Sequence, residues 1–179
     1  DLPGFRARQK KAREQGRYLG VGLSTFSERT GYGSPTFAAR GMEITPGWET
    51  VILTIDPSGF VEARIGSSPH GQGLRTTLAQ IIADEIGVPP QAIRVIHGDT
   101  DRAPYGWGTF ASRSLVISGG ASLIAARKVR AKLVKLASHM LEASPEDIVL
   151  EDGHAKVAGT DRTISIARLA RESYTQAHK

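Results

Sequence analysis

The alternation of apolar and polar positions predicts a β-hairpin in each half of the chain. In the first half, segments 48–56 and 60–65 alternate as half-buried strands do. The sequence Asp56-Pro57-Ser58-Gly59 between them is a turn, because proline presets φ and glycine tolerates a positive φ. In the second half, an Asp-Gly turn separates two short apolar segments within 148–157.

Two further strands are predicted outside the hairpins. Residues 17–26 contain glycines at positions where another backbone is expected to come close, and residues 93–98 form a short apolar segment. Another element starts at Thr163, and a terminal helix is predicted from Ile166. Because strands and helices alternate without regular βαβ spacing, the predicted class is α+β, with helices layered on a mixed sheet.

Helical periodicity marks two longer segments. Gly87 is the predicted C-cap of the first helix, which Pro89-Pro90 prevent from continuing. A second helix is predicted from about Ser112 to Leu141, and Gly119-Gly120 within it indicates close packing, since each glycine costs about 1 kcal/mol relative to alanine. The apolar face of the first helix is formed by Leu74, Leu78, Ile81, Ile82 and Ile86.

Composition restricts the class of protein. The sequence has no apolar run of about 18 residues, so no membrane-spanning helix is predicted. It has no cysteine, which excludes disulfides, thiolate metal ligands and cysteine nucleophiles within this chain and fits a cytoplasmic protein. Residues 1–16, rich in arginine, lysine and glutamine, are expected to form a linker or a surface helix.

The net charge of +5 arises largely from two basic clusters. A nucleic-acid-binding surface needs aromatic side chains interleaved with such charges, and neither cluster contains one. Solvated helix faces, or a contact surface for an acidic partner, are therefore the favoured interpretation. The clusters are Arg6, Arg8, Lys10, Lys11, Arg13 and Arg17, and Arg127, Lys128, Arg130, Lys132 and Lys135.

A polar loop containing Gly71-Gln72-Gly73 precedes the first long helix. A helix N-terminus offers unpaired N–H groups and the positive end of a dipole, which together favour an anion. One interpretation is a tight turn in which the glycines only let the chain enter the helix. The other is that the missing Cβ atoms let backbone N–H groups approach a ligand, with the Gln72 amide as donor and acceptor.

A second polar loop, Thr109-Phe110-Ala111-Ser112-Arg113-Ser114, precedes the second helix. Ser112 is expected to be the N-cap of that helix. Three hydroxyl groups and a guanidinium in this position also suit phosphate binding, because arginine can pair two oxygens at once. Neither loop has the Gly-Lys-Ser/Thr ending of a Walker motif.

The sequence suggests neither a metal centre nor a catalytic residue. The polar residues His70, His97, Asp99 and Asp101 match no common metal-ligand spacing. No Ser-His-Asp arrangement follows from the order of residues either. Taken by themselves, the residues predict a ligand-binding scaffold.

In their order and spacing, the two loops and the segment between them closely resemble the molybdenum hydroxylases. The similarity is strongest to the large, molybdopterin-binding subunit of the carbon monoxide dehydrogenase type, with xanthine dehydrogenase and aldehyde oxidase as wider relatives. It extends over essentially the whole chain. Residues 17–179 are therefore expected to be a partial molybdopterin-binding domain, the central segment of a larger subunit. The motifs are Ser68–Gly73 followed by Thr76–Ile81, Val95–Asp101, and Gly108–Ser114.

The resemblance implies a molybdenum centre held by a pterin dinucleotide, usually the cytosine form in bacteria. It implies hydroxylation of an aldehyde, an N-heterocycle or carbon monoxide with oxygen from water. Electrons would leave through [2Fe-2S] clusters to FAD on partner subunits. Carried over by position, Gln72 with Gly71 and Gly73 would contact the pyranopterin or its phosphate, and the loop from Thr109 to Ser114 would wrap the dinucleotide.

The resemblance also implies what this chain does not contain. The catalytic glutamate of the family lies beyond the equivalent of Lys179, and the substrate-side loop lies before Asp1. The isolated chain is therefore expected to be inactive. The alternative hypothesis is a non-catalytic module that uses its basic surfaces to contact protein or nucleic acid, in which case charge reversal at Arg127, Lys128 and Arg130 would abolish binding.

Overall fold

The first predicted hairpin is present and forms part of a mixed three-stranded sheet in the computed structural model, which describes residues 1–176. Strands β1 (Val51–Ile55) and β2 (Val61–Ile65) pair antiparallel, with Val51 opposite Ile65. Strand β3 (Ile93–Ile96) pairs parallel with β2. Helix α3 (Leu74–Ile86) and a 3₁₀ turn lie in the connection between β2 and β3, as a parallel pair requires.

The second predicted hairpin belongs to a separate antiparallel sheet. Strands β4 (Ile148–Glu151) and β5 (His154–Val157) pair around the Asp-Gly turn, and β6 (Thr163–Ser165) adds on the far side of β5. Helix α5 (Ile166–Thr175) follows directly, with the Ser165 side chain accepting a hydrogen bond from the Arg168 N–H as its N-cap.

Helix α4 (Gly119–Leu141) connects the two sheets. It packs along α3 and contacts β1 of the first sheet and β4 and β5 of the second. One face of α3 and the inner faces of both sheets thereby share a single apolar core. Its fully buried large members include Ile65, Leu78, Ile82, Ile86, Ile166 and Leu169.

Gly87 ends α3 in a left-handed conformation, with φ of 72°, as the sequence predicts. Its carbonyl accepts a hydrogen bond of 2.7 Å from the N–H of Gly153, in the turn between β4 and β5. The approach is close: a Cβ on Gly87 would lie 2.4 Å from the backbone carbonyl carbon of Leu150. The end of α3 is therefore fixed against the second sheet.

The strand predicted at residues 17–26 is wrong for this structure. Residues 17–33 have no regular secondary structure, and Tyr18, Leu23 and Phe26 are 84%, 92% and 82% exposed. The pattern is that of a strand, but within residues 1–176 no strand pairs with this segment. A strand needs a partner for its backbone groups, so the local pattern alone does not form one.

The N-terminal segment forms helix α1 (Leu2–Glu14), which has no buried residue and is a surface helix. The short helix α2 (Ser34–Ala38) follows the irregular segment and buries Phe37. The domain boundary between residues 16 and 17 stays a prediction, and the predicted domain end at residue 179 lies outside the described residues. No helix among residues 1–176 has the length and apolar character needed to cross a membrane.

Helix α4 ends at Leu141 as predicted but begins later than Ser112. A π-helical turn at Ser114–Ser118 precedes it, and α4 itself starts at Gly119. Ser112 is not an N-cap: its φ is 52° and its side chain caps no helix. Two successive residues in the left-handed region, Ala111 and Ser112, delay the start of the helix, since that conformation interrupts a right-handed turn.

Close packing at the Gly119-Gly120 pair is confirmed for Gly119 only. A Cβ on Gly119 would lie 3.2 Å from Cδ1 of Ile81 on α3, so this glycine permits the close approach of α3 and α4. A Cβ on Gly120 would meet nothing within 4 Å, and the prediction is wrong there.

The two adjacent glycines give a matched test of this contact. Gly120→Ala should raise the free energy of unfolding by roughly 0.5–1 kcal/mol, because alanine gains helix propensity in open space. Gly119→Ala gains the same propensity but must displace Ile81, and we expect it to be less stable than Gly120→Ala. Urea unfolding followed by circular dichroism measures both. Greater stabilisation by the Gly119 substitution would contradict the packing described here.

Candidate functional site

The two predicted loops arise from one place in the fold. Gly66, two residues before the first loop (residues 68–73), packs against Gly106, three residues before the second (residues 109–114): a Cβ on Gly66 would lie 2.6 Å from the Gly106 Cα. The side chains of Ser67 and Ser118, both buried, share a hydrogen bond of 2.6 Å. These contacts hold the bases of the two loops together.

The first loop presents unpaired donors. Gly71 and Gly73 have φ of 103° and 78°, and a Cβ on either would meet nothing within 4 Å. Gly73 is the N-cap of α3 and supplies no side-chain cap. Among the described residues, the N–H groups of residues 74–76 therefore have no protein acceptor. They form an open helix N-terminus that favours an anion.

Gln72 lies between these glycines and is exposed. Its Oε1 accepts a hydrogen bond of 2.5 Å from the His70 N–H, which fixes the side chain over the loop. The acceptor atom of the amide, Oε1, is thus occupied by a hydrogen bond within the loop. The Nε2 group donates to no acceptor within residues 1–176. This NH₂ group is therefore the part of the Gln72 side chain that is available to a ligand.

The second loop has an uncommon backbone conformation. Ala111 and Ser112 have φ of 48° and 52°, although neither is glycine. Ser112 Oγ donates to the Glu28 carboxylate, and Ser114 Oγ donates to Thr109 Oγ1 at 2.8 Å. In the part of the chain that is described, the N–H groups of residues 108–112 donate to no protein acceptor. Unpaired backbone N–H groups in a turn are donors from which an anion can accept hydrogen bonds.

The Arg113 side chain points inward. Its guanidinium is fully buried and forms an ion pair with Glu49, whose side chain is also fully buried, with 2.9 Å between Arg113 Nη1 and Glu49 Oε2. Nη1 also donates to the Gly108 carbonyl at 2.7 Å, and Nη2 donates to the Trp48 carbonyl at 2.6 Å. Both terminal nitrogens are thereby used by protein acceptors, and the buried Nε has no partner.

Glycines and aromatic rings surround this ion pair. A Cβ on Gly106 would lie 1.9 Å from Glu49 Oε1, and one on Gly66 would lie 2.5 Å from the same atom. The Phe110 ring lies between the buried Phe37 of α2, with ring centroids 5.8 Å apart, and the Arg113 guanidinium, 5.2 Å from the ring centroid. Sequence reasoning did not identify Glu49, because its partner lies 64 residues away.

An open cleft of about 430 Å³ adjoins the loop bases. It is lined by Gly66 and Gly106 and by residues of the Val95–Asp101 motif and the loop after it. Of the three motifs singled out from the sequence, two contribute to this lining, through Ser68 and through Gly98, Asp99 and Thr100. Among residues 1–176 there is no group of three or more histidine, aspartate or glutamate side chains placed to hold a metal ion.

Comparison with known families identifies a cofactor-binding domain. Residues 1–179 match the family described as the molybdopterin cofactor-binding domain, and the chain belongs to this family. The predicted family resemblance, the α+β class and the molybdopterin cofactor are confirmed. The assignment of individual residues to the cofactor stays a prediction.

Relatives of known function share the similarity along the whole chain. The large subunit of nicotine 6-hydroxylase from Paenarthrobacter nicotinovorans is 42% identical over 100% of this chain. The carbon monoxide dehydrogenase large chain from Hydrogenophaga pseudoflava is 41% identical over 98% of it. The crystal structure of quinoline 2-oxidoreductase from Pseudomonas putida 86 superimposes on 99% of the chain with a TM-score of 0.76 and 40% identity. The chain spans 22% of the length of each of these proteins.

Proposed function

We propose that this chain holds a molybdopterin cytosine dinucleotide in the large subunit of a molybdenum hydroxylase. The observation that carries the proposal is the pair of loops with unpaired N–H groups, at residues 74–76 and 108–112, which arise from one joined base. A pyrophosphate-containing cofactor needs several N–H donors and little protein charge, because helix N-termini and backbone concavities supply positive potential.

The two loops divide the cofactor between them in this proposal. Gly71, Gln72 and Gly73 face the pterin end or its phosphate, with Gln72 Nε2 and the α3 N-terminus as donors. Residues from Thr109 to Ser114 surround the nucleotide, chiefly through backbone N–H groups, since the Arg113 guanidinium is engaged by Glu49. When bound, the cofactor supplies the molybdenum centre at which an aldehyde, an N-heterocycle or carbon monoxide is hydroxylated. None of these residues is assigned a catalytic role, so the isolated chain should be inactive.

Partners form part of the same proposal. The remainder of the large subunit would cover the irregular segment 17–33, whose exposed Tyr18, Leu23 and Phe26 are suited to burial. Subunits carrying [2Fe-2S] clusters and FAD would take the electrons. The names of the relatives, as large subunit and large chain, support a multi-subunit enzyme. We place this enzyme in the cytoplasm, in agreement with the absence of cysteine from the present chain.

The alternative of a module that acts through its basic surfaces gains no support. Arg127 forms an ion pair of 3.6 Å with Glu85, and Arg130 donates to the Glu85 carbonyl at 2.8 Å. Two members of the second basic cluster are thus engaged by α3 within the same molecule.

An isosteric charge change tests the proposal. In the complete large subunit, Gln72→Glu should keep the His70 contact and suit the α3 N-terminus, because a carboxylate is stabilised there. It should also repel an anionic cofactor and lower the molybdenum and cytosine nucleotide content at least about tenfold, since one unfavourable charge contact at short range exceeds about 1.4 kcal/mol. Metal analysis and chromatography of released nucleotide measure the content.

Gln91→Glu is the matched control, because Gln91 is exposed and lies in the 3₁₀ turn before β3. It should leave cofactor content at the wild-type value. Wild-type content in the Gln72 variant would reject the assignment of this loop. Absence of cytosine nucleotide from the wild-type subunit would reject the proposal as a whole.

A further inference from the structure

The buried Glu49–Arg113 ion pair joins parts of the chain that are distant in sequence. Through Arg113 it connects the segment before β1, at Trp48 and Glu49, to Gly108 in the second loop. We propose that this pair is a positioning device, which holds the second loop so that its N–H groups face the nucleotide. The inference rests on the proposed function of that loop.

The first argument is the direction of the peptide groups. The Gly108 carbonyl points inward, to Nη1 of Arg113. In a planar trans peptide the carbonyl and the following N–H point in opposite directions. The N–H of Thr109 is therefore turned away from Arg113, and within residues 1–176 it has no protein acceptor. Arg113 orients a donor that it does not itself provide.

The second argument is the conformation that follows. Ala111 and Ser112 both have positive φ, which residues with a Cβ rarely adopt and which persists where the surroundings impose it. They lie directly between the Phe110 ring, packed on the Arg113 guanidinium, and Arg113 itself. The inward anchoring of Phe110 and Arg113 forces the residues between them outward, as a short exposed arch.

The third argument is that an ion pair is a poor choice for stability alone. Apolar side chains of similar volume commonly stabilise a buried site as well or better, because burying two charges costs solvation free energy. Here Arg113 even leaves its buried Nε without a partner. An apolar pair would offer no directional contacts to the Gly108 and Trp48 carbonyls. The directional contacts are what the charged pair adds.

The packing around the Glu49 carboxylate also supports a positioning role for the ion pair. Its Oε1 lies against the backbones of Gly66 and Gly106, where any side chain would displace it. Gly66 closely precedes the first loop and Gly106 closely precedes the second. The backbones at the bases of both loops thereby set the position of the carboxylate that pairs with Arg113.

Two variants of the complete large subunit separate positioning from stability. Arg113→Lys keeps the charge beside Glu49 but cannot reproduce a planar fork that reaches two carbonyls. The double variant Glu49→Met with Arg113→Met removes the pair as a unit and replaces it with apolar side chains. Arg127→Lys, at an ion pair in which Arg127 is largely exposed, is the control.

We expect thermal stability to be kept while hydrogen exchange and cofactor dissociation become faster. In cofactor-free subunit, at least one of the two variants should unfold within a few degrees of the wild-type midpoint. In that variant, hydrogen exchange at residues 108–112 should accelerate. Dissociation of molybdopterin cytosine dinucleotide should become roughly tenfold to a hundredfold faster, the loss expected for one or two charge-assisted hydrogen bonds. The Arg127 control should change none of the three.

Other outcomes reject the inference in distinguishable ways. If a folded variant keeps wild-type exchange and dissociation, the pair does not position the loop. If neither variant folds, the pair acts through stability and the inference is wrong. If the wild-type subunit holds no cytosine dinucleotide, the proposed function itself fails, and the inference fails with it.

Discussion

Arg113→Ala is expected to lower the free energy of unfolding by about 3–5 kcal/mol, the cost typical of breaking a buried ion pair by removing one partner. The substitution leaves the Glu49 carboxylate, whose side chain is 0% exposed, without its cation. It also removes the donors to the Gly108 and Trp48 carbonyls. Urea unfolding of wild type and variant, followed by circular dichroism, measures the difference.

Two controls show whether the loss comes from the buried charge. Adding Glu49→Gln to the variant should recover part of the stability, because a neutral amide is less costly to bury than a carboxylate. Arg127→Ala should cost only about 0–1 kcal/mol, since that ion pair is partly exposed and screened by solvent. A loss at Arg113 no larger than at Arg127 would contradict the burial described for the pair.

Gly87→Ala should cost about 2–5 kcal/mol, combining a left-handed conformation with overpacking. Gly87 has φ of 72°, and its new Cβ would lie 2.4 Å from backbone atoms of Leu150. Backbone cannot move aside as a flexible side chain can, so α3 would have to separate from the second sheet. The same urea unfolding experiment measures the change.

Gly153→Ala isolates the contribution of that contact. Gly153 has φ of 73°, but a Cβ there would meet nothing within 4 Å. Its substitution should therefore cost only about 1–2 kcal/mol, the conformational part alone. Equal losses in the two alanine variants would show that the approach of Gly87 to Leu150 has no energetic consequence.

The elements that sequence predicts well are those with a local cause. In the turn of the first hairpin, Asp56 Oδ1 accepts hydrogen bonds from the N–H groups of Ser58 and Phe60. The hydrogen bond from the Ser58 side chain is the main reason that the pKa of the Asp56 carboxyl is lowered. Likewise, the apolar positions of α3 lie on its buried face because the helical period places them there. In both cases the determining contacts lie within a few residues.

Predictions fail where the determining contact is distant. Segment 17–26 has a strand pattern but lacks a strand partner among residues 1–176. Gly119 and Gly120 are equivalent in sequence, and only the position of Ile81 distinguishes them. At the site, glycines in the sequence indicate where both loops lie. The pairing of Arg113 with Glu49 cannot be predicted from neighbouring residues. Ser112 has the residue type of an N-cap, but α4 begins only at Gly119.

The joined base of the two loops has an energetic consequence for cofactor binding. Gly66 packs on Gly106, and Ser67 bonds Ser118 across 51 residues of chain, so neither loop takes its shape until the core has formed. Ordering one residue of backbone costs about 1–2 kcal/mol in conformational entropy. In this fold the burial of the apolar core offsets that loss of entropy during folding. The loops are preorganised, and a ligand that binds them need not supply the free energy of ordering them.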